Sequence, residues 1–214
     1  YPLRRLRQMC IRDRYRELLT SAIPPRGYLL TGLVRYEFSS AYQYQPLNSM
    51  FIIDKQGEIV DVYDKSHLVP FGEYIPLRRY LPQWVRPITN TIADFKPGKP
   101  YKTFKLNDYP TFGALICYEI IFPSQVVSKN NKPQFLVNLT NDGWYGDSAG
   151  PHQHLVTTRL RAVEEGIAVI RAANTGISAI ISPAGQILAS LPLNHRGIID
   201  AALPDKLSVP TFYG

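Results

Sequence analysis

The thiol of Cys117 is the first side chain whose type and position could support chemistry. Cys117 follows an apolar run at 112–116, which predicts a buried strand, and it precedes Tyr118 and Glu119. Because the backbone turns where a strand ends, a side chain at that point can project into a cleft. A thiolate that a nearby cation stabilises is a strong nucleophile, although most buried cysteines are inert packing residues. Catalysis and packing therefore both stay open for Cys117 taken alone.

Lys65 is the candidate cation, and a carboxylate follows it in the same loop. We predict that Lys65 ends a strand, and Glu73 lies eight residues later, after a Pro–Gly turn. The loop can fold back and bring the carboxylate of Glu73 close to the ammonium of Lys65. The alternative is a surface lysine and a solvated glutamate, because charged side chains usually lie in water. His67 could act as a base, but we expect it to make only structural hydrogen bonds.

A polar and aromatic segment at 138–146 predicts a loop that follows a strand. Its Trp144 is expected either to pack under the turn or to form a wall of a substrate pocket. Two histidines come next, His152 and His154, but residues at i and i+2 do not share one face of a helix. No cluster of cysteines, histidines and acids accompanies them. We therefore expect neither a metal site nor a cofactor.

Strand and helix patterns alternate along the chain, with a long irregular stretch at 65–99 that is rich in proline and aromatic residues. A helix is predicted to end near Ala22, a short one to lie between 123 and 130, and another to span 154–165. The apolar residues of that third helix recur at i, i+4 and i+7, namely Val156, Leu160 and Val163. Strands are predicted at 28–36, 49–53, 58–63, 111–117, 134–139, 168–172, 177–182, 186–191 and 197–203. The pattern predicts an α/β or α+β layered fold, and its hairpins make the sheets mixed.

The composition is that of a single globular domain, with 214 residues of which 45% are hydrophobic and 19% charged. Much of the net charge of +7 lies in residues 1–14, an arginine-rich segment without periodicity that we predict to be a basic tail outside the domain. No basic stripe with interleaved aromatics follows, so we expect no nucleic-acid partner. No apolar run reaches the roughly 18 residues of a membrane span, and no signal peptide is recognisable. The two cysteines, Cys10 and Cys117, do not make a disulfide scaffold.

Taken together, these segments resemble the carbon–nitrogen hydrolase (nitrilase) superfamily. Lys65 matches its strand-to-loop lysine, and Cys117-Tyr118-Glu119 matches its cysteine motif at a strand end. Within the superfamily, residues 15–214 are similar to the apolipoprotein N-acyltransferase branch. The stretches that carry this similarity come in the order of the branch, at 65–74, 116–121, 141–146, 171–178 and 211–214.

The resemblance implies a four-layer α-β-β-α sandwich for residues 15–214, on which the superfamily carries a Glu–Lys–Cys triad. It implies that Cys117 is the nucleophile and that Lys65 is its electrostatic partner. It also implies that Glu73 and Glu119 position Lys65 and assist proton transfer on the side of the acceptor amine. It further implies substrate contacts, which we assign to Asn48, Tyr118 and Trp144.

The reaction implied by the resemblance is acyl transfer in two steps. Cys117 takes a fatty acyl chain from a phospholipid as a thioester. The amine of the N-terminal diacylglyceryl-cysteine of an apolipoprotein then accepts the acyl chain. The branch carries this domain on the periplasmic side of the bacterial inner membrane, and we expect the membrane segments to lie outside this chain.

One feature of the superfamily is missing from the sequence. Its triad glutamate lies in a Pro-Glu-x-Ala-like motif before the helix that ends near Ala22, and Glu17 does not fit that motif. We expect that the chain starts after this motif and that its activity is absent or impaired. Two alternatives follow. The chain could be a soluble amidase or nitrilase that uses the same Lys65 and Cys117, or an inactive binding module that keeps the fold.

Overall fold

The computed structural model of the chain describes residues 16–40, 43–82, 87 and 94–212, and their strands form two sheets. The predicted basic tail at 1–14, with Cys10, lies outside the described residues, so the domain boundary at residue 15 stays a prediction. The first sheet is an antiparallel meander of β1 (Leu29–Ser40), β2 (Gln43–Ile53) and β3 (Ile59–Asp64). Its predicted hairpin is closed by Asp54, whose carboxylate accepts the N–H groups of Gln56 and Glu58 at 2.9 Å each.

The second sheet has six strands that are neighbours in chain order. Its three central strands run parallel, namely β5 (Phe112–Ile116), β6 (Phe135–Asn141) and β7 (Ala168–Asn174). The flanking strands pair antiparallel, namely β4 (Thr103–Phe104), β8 (Ser178–Ile181) and β9 (Ile187–Leu191). The prediction of mixed sheets is therefore confirmed. Because parallel strands end at the same edge, the segments that follow β5, β6 and β7 meet there.

The two sheets pack face to face through a shared apolar layer. Met50, Ile52 and Tyr63 of the first sheet contact residues of the second, namely Phe112, Ala114, Ile116 and Val137. The other face of the six-stranded sheet is covered by α2 (Gly150–Glu165), against which Leu115, Leu136 and Val169 pack. Residues 16–21 form a short helix, α1, which Lys55 of the first sheet's hairpin holds through the carbonyls of Thr20 and Ile23. The nitrilase-like layered sandwich is confirmed.

The helix predicted at 154–165 exists but starts earlier and buries a different face. α2 begins at Gly150, has Pro151 in its first turn and ends at Glu165, and the next residue, Gly166, has a φ of +64° that suits a helix C-cap. Val156, Leu160 and Val163 were expected to form its apolar face, yet they are 50%, 55% and 46% exposed. The buried face is largely polar because it contacts a cluster of buried charges, described below.

Two further predictions from the sequence are wrong. Residues 123–130 form bends rather than a helix, because Ser124 has a left-handed φ of +57° and its N–H donates to Glu164. The helical turn lies earlier instead, as a 3-10 turn at Cys117–Ile121. Residues 197–203 form no strand and pair with none of the strands in the described part of the chain, and Ile198 is 91% exposed. None of the helices in the described ranges is long and apolar enough to cross a membrane.

The packing of α2 predicts opposite results for two leucines on the same helix. Leu155 belongs to the core under α2, whereas Leu160 points into solvent. We expect Leu155→Ala to lower the free energy of unfolding by about 2–5 kcal/mol, because it leaves a cavity. Leu160→Ala should change it by less than about 0.5 kcal/mol. Urea unfolding of both variants measures the difference, and equal losses would contradict the assignment of the buried face.

Candidate active site

A cavity of about 970 Å³ opens at the edge of the six-stranded sheet where β5, β6 and β7 end. It collects side chains that the sequence separates by more than a hundred residues. The lining includes every residue predicted for the site except Glu119, namely Asn48, Lys65, Glu73, Cys117, Tyr118 and Trp144. The cavity is thus the candidate active site. Glu119 lies outside its lining and is described below.

Cys117 stands at the junction of β5 and the 3-10 turn, in a strained backbone conformation. It is a free cysteine with a φ of +52°, in the left-handed region that residues other than glycine rarely adopt. Such strain persists only where the surrounding structure enforces it, and it is concentrated at functional sites. The N–H groups at the start of the following turn have no partner within that turn. Cys117 therefore combines an accessible thiol with nearby backbone donors.

Lys65 is buried at the floor of the cavity with Glu73 as its ion-pair partner. Its side chain is 1% exposed, and its Nζ donates to Glu73 Oε2 at 2.7 Å. The other contacts of Glu73 come from Val69 N at 2.8 Å and from Asn48 Nδ2 at 2.9 Å. The loop after β3 has therefore folded back as anticipated, and the alternative of a surface lysine is wrong. The ion pair with Glu73 therefore fixes the position of the buried ammonium of Lys65.

Glu119 does not line the cavity, because it joins the two segments that do. Its Oε1 accepts hydrogen bonds from Tyr63 Oη at 2.9 Å, Ser66 N at 2.8 Å and His67 N at 3.1 Å. Its Oε2 accepts the N–H of Ile116 at 2.7 Å. Burial and then the charge of Glu119 raise the pKa of Tyr63, so that its phenol stays a donor. Glu119 thereby holds the loop that carries Lys65 against the turn that carries Cys117.

His67 takes no part in the cavity. Its ring stacks on Phe122 with centroids 4.1 Å apart, and its backbone N–H is the group that Glu119 binds. The structural role expected for this histidine agrees with these contacts.

The walls above this polar floor are mainly apolar. They come from β1, from the loop after β3 and from the ends of the parallel strands. The apolar side chains are Leu30, Leu33, Val34, Val69, Phe95, Ile116, Leu139, Trp144 and Tyr145. The contribution of β1 was missed from the sequence, because its aliphatic residues come in adjacent pairs and carry no signal for a neighbouring cavity. A polar end and apolar walls are typical of a site for a ligand with an apolar tail.

The segment at 138–146 forms one wall through a short 3-10 turn at Asp142–Tyr145. Trp144 lies 60% exposed on the rim of the cavity, which agrees with the wall and not with a side chain packed under the turn. Asp142 is buried beneath it and binds Arg171 Nη2 at 2.6 Å and His154 Nδ1 at 2.9 Å. Burial alone would raise the pKa of Asp142, but His154 and the charge of Arg171 outweigh it and hold that pKa below its usual value.

Arg171 and Asp142 were not identified from the sequence as parts of the site. The available signal was an arginine within an otherwise apolar strand, which needs a buried acid as its partner. His154, considered above as a metal ligand, binds this acid instead. Within the described residues, no group of three or more histidines, cysteines and acids could hold a metal ion.

Comparison with known proteins agrees with this geometry. The profile described as carbon-nitrogen hydrolase matches residues 21–209, which include both sheets and the whole cavity. The chain belongs to the carbon–nitrogen hydrolase family.

Curated relatives of this carbon–nitrogen hydrolase chain include apolipoprotein N-acyltransferases. That of Rhodopseudomonas palustris is 42% identical over 204 residues, which are 91% of this chain and 37% of the relative. That of Agrobacterium fabrum is 44% identical over 86% of this chain and 35% of the relative. The chain therefore spans little more than a third of the length of these relatives.

Solved structures show the same fold at lower identity. The amidase from Nesterenkonia sp. AN1, of the nitrilase superfamily, superposes with a TM-score of 0.57 at 22% identity, over 85% of this chain and 62% of the amidase, in one mutant form. Another structure of this amidase shows covalent addition of the acetamide moiety of fluoroacetamide at its active site cysteine, with a TM-score of 0.55 and 22% identity over 85% and 64% of the two chains.

The contacts of Glu119 predict a large loss of stability on a nearly isosteric change. In Glu119→Gln, one carboxylate oxygen becomes an NH₂ group that cannot accept the buried N–H groups facing it. We expect the free energy of unfolding to fall by about 3 kcal/mol. The matched control is Glu58→Gln, which removes only an exposed ion pair with Arg16 and should cost less than about 1 kcal/mol. Equal losses of unfolding free energy for the two variants would contradict the role of Glu119 in joining the two segments.

Asp142 predicts a defined dependence of stability on pH. Its pKa is lower in the folded chain than in the unfolded chain, so its contribution is present above the unfolded pKa of about 4 and is lost as the pH falls through the folded pKa. We expect Asp142→Asn to be less stable than the native chain at pH 7, with a gap that narrows below about pH 4. Denaturant unfolding between pH 3 and 7 measures this gap, and a constant gap would show that ionisation of Asp142 contributes nothing.

Proposed function

We propose that this domain is the catalytic part of an apolipoprotein N-acyltransferase. It would move a fatty acyl chain from a phospholipid to the N-terminal diacylglyceryl-cysteine of an apolipoprotein, through a thioester on Cys117. The observation that carries the proposal is the cavity, whose apolar walls lead to Cys117 and to the buried pair of Lys65 and Glu73. The 42% identity with an apolipoprotein N-acyltransferase supports this branch over others of the family.

The first step is attack of the Cys117 thiolate on an ester carbonyl of the phospholipid. The C–S bond forms, the ester C–O bond breaks, and the leaving lysophospholipid oxygen takes back the proton that the thiol of Cys117 gave to the general base expected in the Pro-Glu motif. The ammonium of Lys65 and the N–H groups that follow Cys117 are suited to stabilise the oxyanion between these events. The apolar walls would hold the acyl chain and keep water away from the thioester.

The second step returns the enzyme to its starting state. The amine of the diacylglyceryl-cysteine attacks the thioester carbonyl and gives a proton to the same general base, the C–S bond breaks, and an amide forms while the thiolate of Cys117 is regenerated. A thioester is reactive enough to acylate an amine. We assign Asn48, Tyr118 and Trp144, which line the cavity, to contacts with the substrate. We assign Glu73, to which Asn48 also donates, and Glu119 to the positioning of Lys65 and Cys117.

The membrane setting belongs to the same proposal. Its donor and acceptor are both lipids, so the reaction requires the cavity to face a lipid surface. We assign the domain to the periplasmic side of the bacterial inner membrane, as in the branch that it resembles. The exposed Trp144 on the rim is compatible with an approach to lipid, since tryptophan is enriched at membrane interfaces.

A second candidate function is hydrolysis of small amides. The shared fold with the Nesterenkonia amidase favours it, because one structure of that enzyme carries an acetamide moiety on its active site cysteine. The two candidates share Cys117 and Lys65 and differ in the acyl donor. Vesicles of a phospholipid with one defined acyl chain and a solution of butyramide therefore separate them.

The test is the mass of the intact protein after incubation with each donor. We expect phospholipid to add one acyl chain to Cys117, and Cys117→Ala to abolish the adduct. Lys65→Met should slow adduct formation about a hundredfold, as for the loss of one oxyanion donor. Because the general base was expected in a Pro-Glu motif that this sequence lacks, the adduct should form readily only after fusion to a segment that supplies such a motif.

The outcomes of this test are distinct. An adduct from phospholipid with the fusion but not with the unfused chain supports acyl transfer and the expected impairment. An adduct with the unfused chain supports acyl transfer and contradicts the impairment. Ammonia release from butyramide without any phospholipid adduct would favour the amidase. No reaction of the fusion with either donor would favour an inactive module.

A further inference from the structure

A second group of buried polar side chains lies behind Cys117, between the six-stranded sheet and α2. At its centre is Arg171 of β7, whose side chain is fully buried. Its Nη1 donates to Asn138 Oδ1 at 2.6 Å and its Nη2 to Asp142 Oδ2 at 2.6 Å. Further contacts reach Ile177 O at 3.2 Å and Thr158 Oγ1 at 3.4 Å. The acyl transfer proposed above uses none of these groups directly.

Asn138 connects this group to the nucleophile. It lies on β6 beside β5, and its Nδ2 donates to Leu115 O and to Cys117 O, at 3.4 Å each. Its Oδ1 is held by Arg171, so the orientation of the amide is fixed. Cys117 has a left-handed φ that is unfavourable for a residue other than glycine. The hydrogen bond from Asn138 to the carbonyl of Cys117 therefore helps to keep the backbone in this conformation.

Asp142 connects the same arginine to the rim of the cavity. It is the first residue of the turn that carries Trp144 and Tyr145. The space around it is closed, because a Cβ added at Gly176 would lie 2.2 Å from Asp142 Oδ2. Movement of the guanidinium would therefore move the turn and the wall of the cavity with it.

We propose that Arg171 is a positioning residue for the nucleophile, acting through Asn138 on the carbonyl of Cys117 and through Asp142 on the turn that carries Trp144. One planar fork reaches both partners, which a lysine ammonium cannot do with the same geometry. The proposal rests on the role of Cys117 as the nucleophile in the proposed function. It does not depend on which acyl donor the domain uses.

The action that we propose for Arg171 is geometric, although its charge also interacts with Cys117. Its charge lies 2.6 Å from the carboxylate of Asp142, so that the field of the pair at Cys117 is that of a dipole and falls off quickly. Burial lowers the pKa of Arg171, and Asp142 opposes this shift, followed by Cys117. His154 also faces the pair, with its Nδ1 at 3.3 Å from Arg171 Nη2. Arg171→Lys keeps the positive charge but loses the planar guanidinium, and it therefore separates a geometric from an electrostatic action.

The experiment measures alkylation of Cys117 by iodoacetamide, followed by intact mass between pH 6 and 9, in a Cys10→Ser background. This probe reads the thiol directly, so a failure of the phospholipid test would leave its result interpretable. The variants are Arg171→Met, Arg171→Lys and Asn138→Leu. The control is Val169→Ala, a buried change on the same strand in a side chain that belongs to the apolar core with Leu115 and Leu136. Rates are compared at equal folded fraction, which thermal unfolding of each variant provides.

We expect all three variants to lower the plateau rate at high pH about tenfold or more, since misplacement of a reacting group by about 1 Å can cost a hundredfold. Val169→Ala should keep the native rate although it is less stable. If Arg171→Met does not fold, Asn138→Leu and Arg171→Lys carry the test. Native rates in Asn138→Leu, or in Arg171→Lys, would overturn the proposal, because the first lacks the link to Cys117 and the second lacks the fork.

Discussion

The carboxylate of Glu119 is the contact on which the candidate site depends. The nucleophile and its cation belong to different sheets, Cys117 after β5 and Lys65 after β3. Apolar packing between the sheets sets their separation but leaves the two connecting segments free to slide, because the hydrophobic effect is not directional. Hydrogen bonds are directional, and Glu119 accepts them from both segments at once. A buried carboxylate that lost these donors would be costly, so the contact also fixes the register of the two sheets at this edge.

Burial of charge follows one rule on both sides of the six-stranded sheet. In front of it, Lys65 is neutralised by Glu73, and behind it, Arg171 is neutralised by Asp142. Each pair is completed by neighbouring amides, so that few polar atoms lack a partner. The two pairs flank Cys117 without a shared residue. The strained backbone of the nucleophile is thus enclosed by rigid polar contacts, which suits a thiol that must meet a carbonyl in one orientation.

Local sequence patterns predicted much of the fold, and their failures have a common cause. The hairpin before Lys65 and the strands β5, β6 and β7 were predicted, because turn residues and apolar runs act over a few neighbours. The buried face of α2 was assigned wrongly, since Val156, Leu160 and Val163 have helical spacing but point into solvent. The helix instead turns His154 and Thr158 toward Arg171, a partner on another strand. Hydrophobic spacing cannot register a polar partner that is distant in sequence.

The sequence by itself determined which residues could do chemistry. The motifs around Lys65, Glu73 and Cys117 are contiguous or close in the chain, so residue type and spacing were enough to single them out. Only the tertiary structure decided what each one contacts. In the folded chain, Glu73 binds the ammonium of Lys65, and Glu119 lies outside the cavity, where it joins the segments that carry Lys65 and Cys117. Arg171 lies behind the nucleophile and binds Asn138. These contacts join residues up to 56 positions apart in the chain, as for Tyr63 and Glu119, and the folding of the sheets brings them within hydrogen-bonding distance.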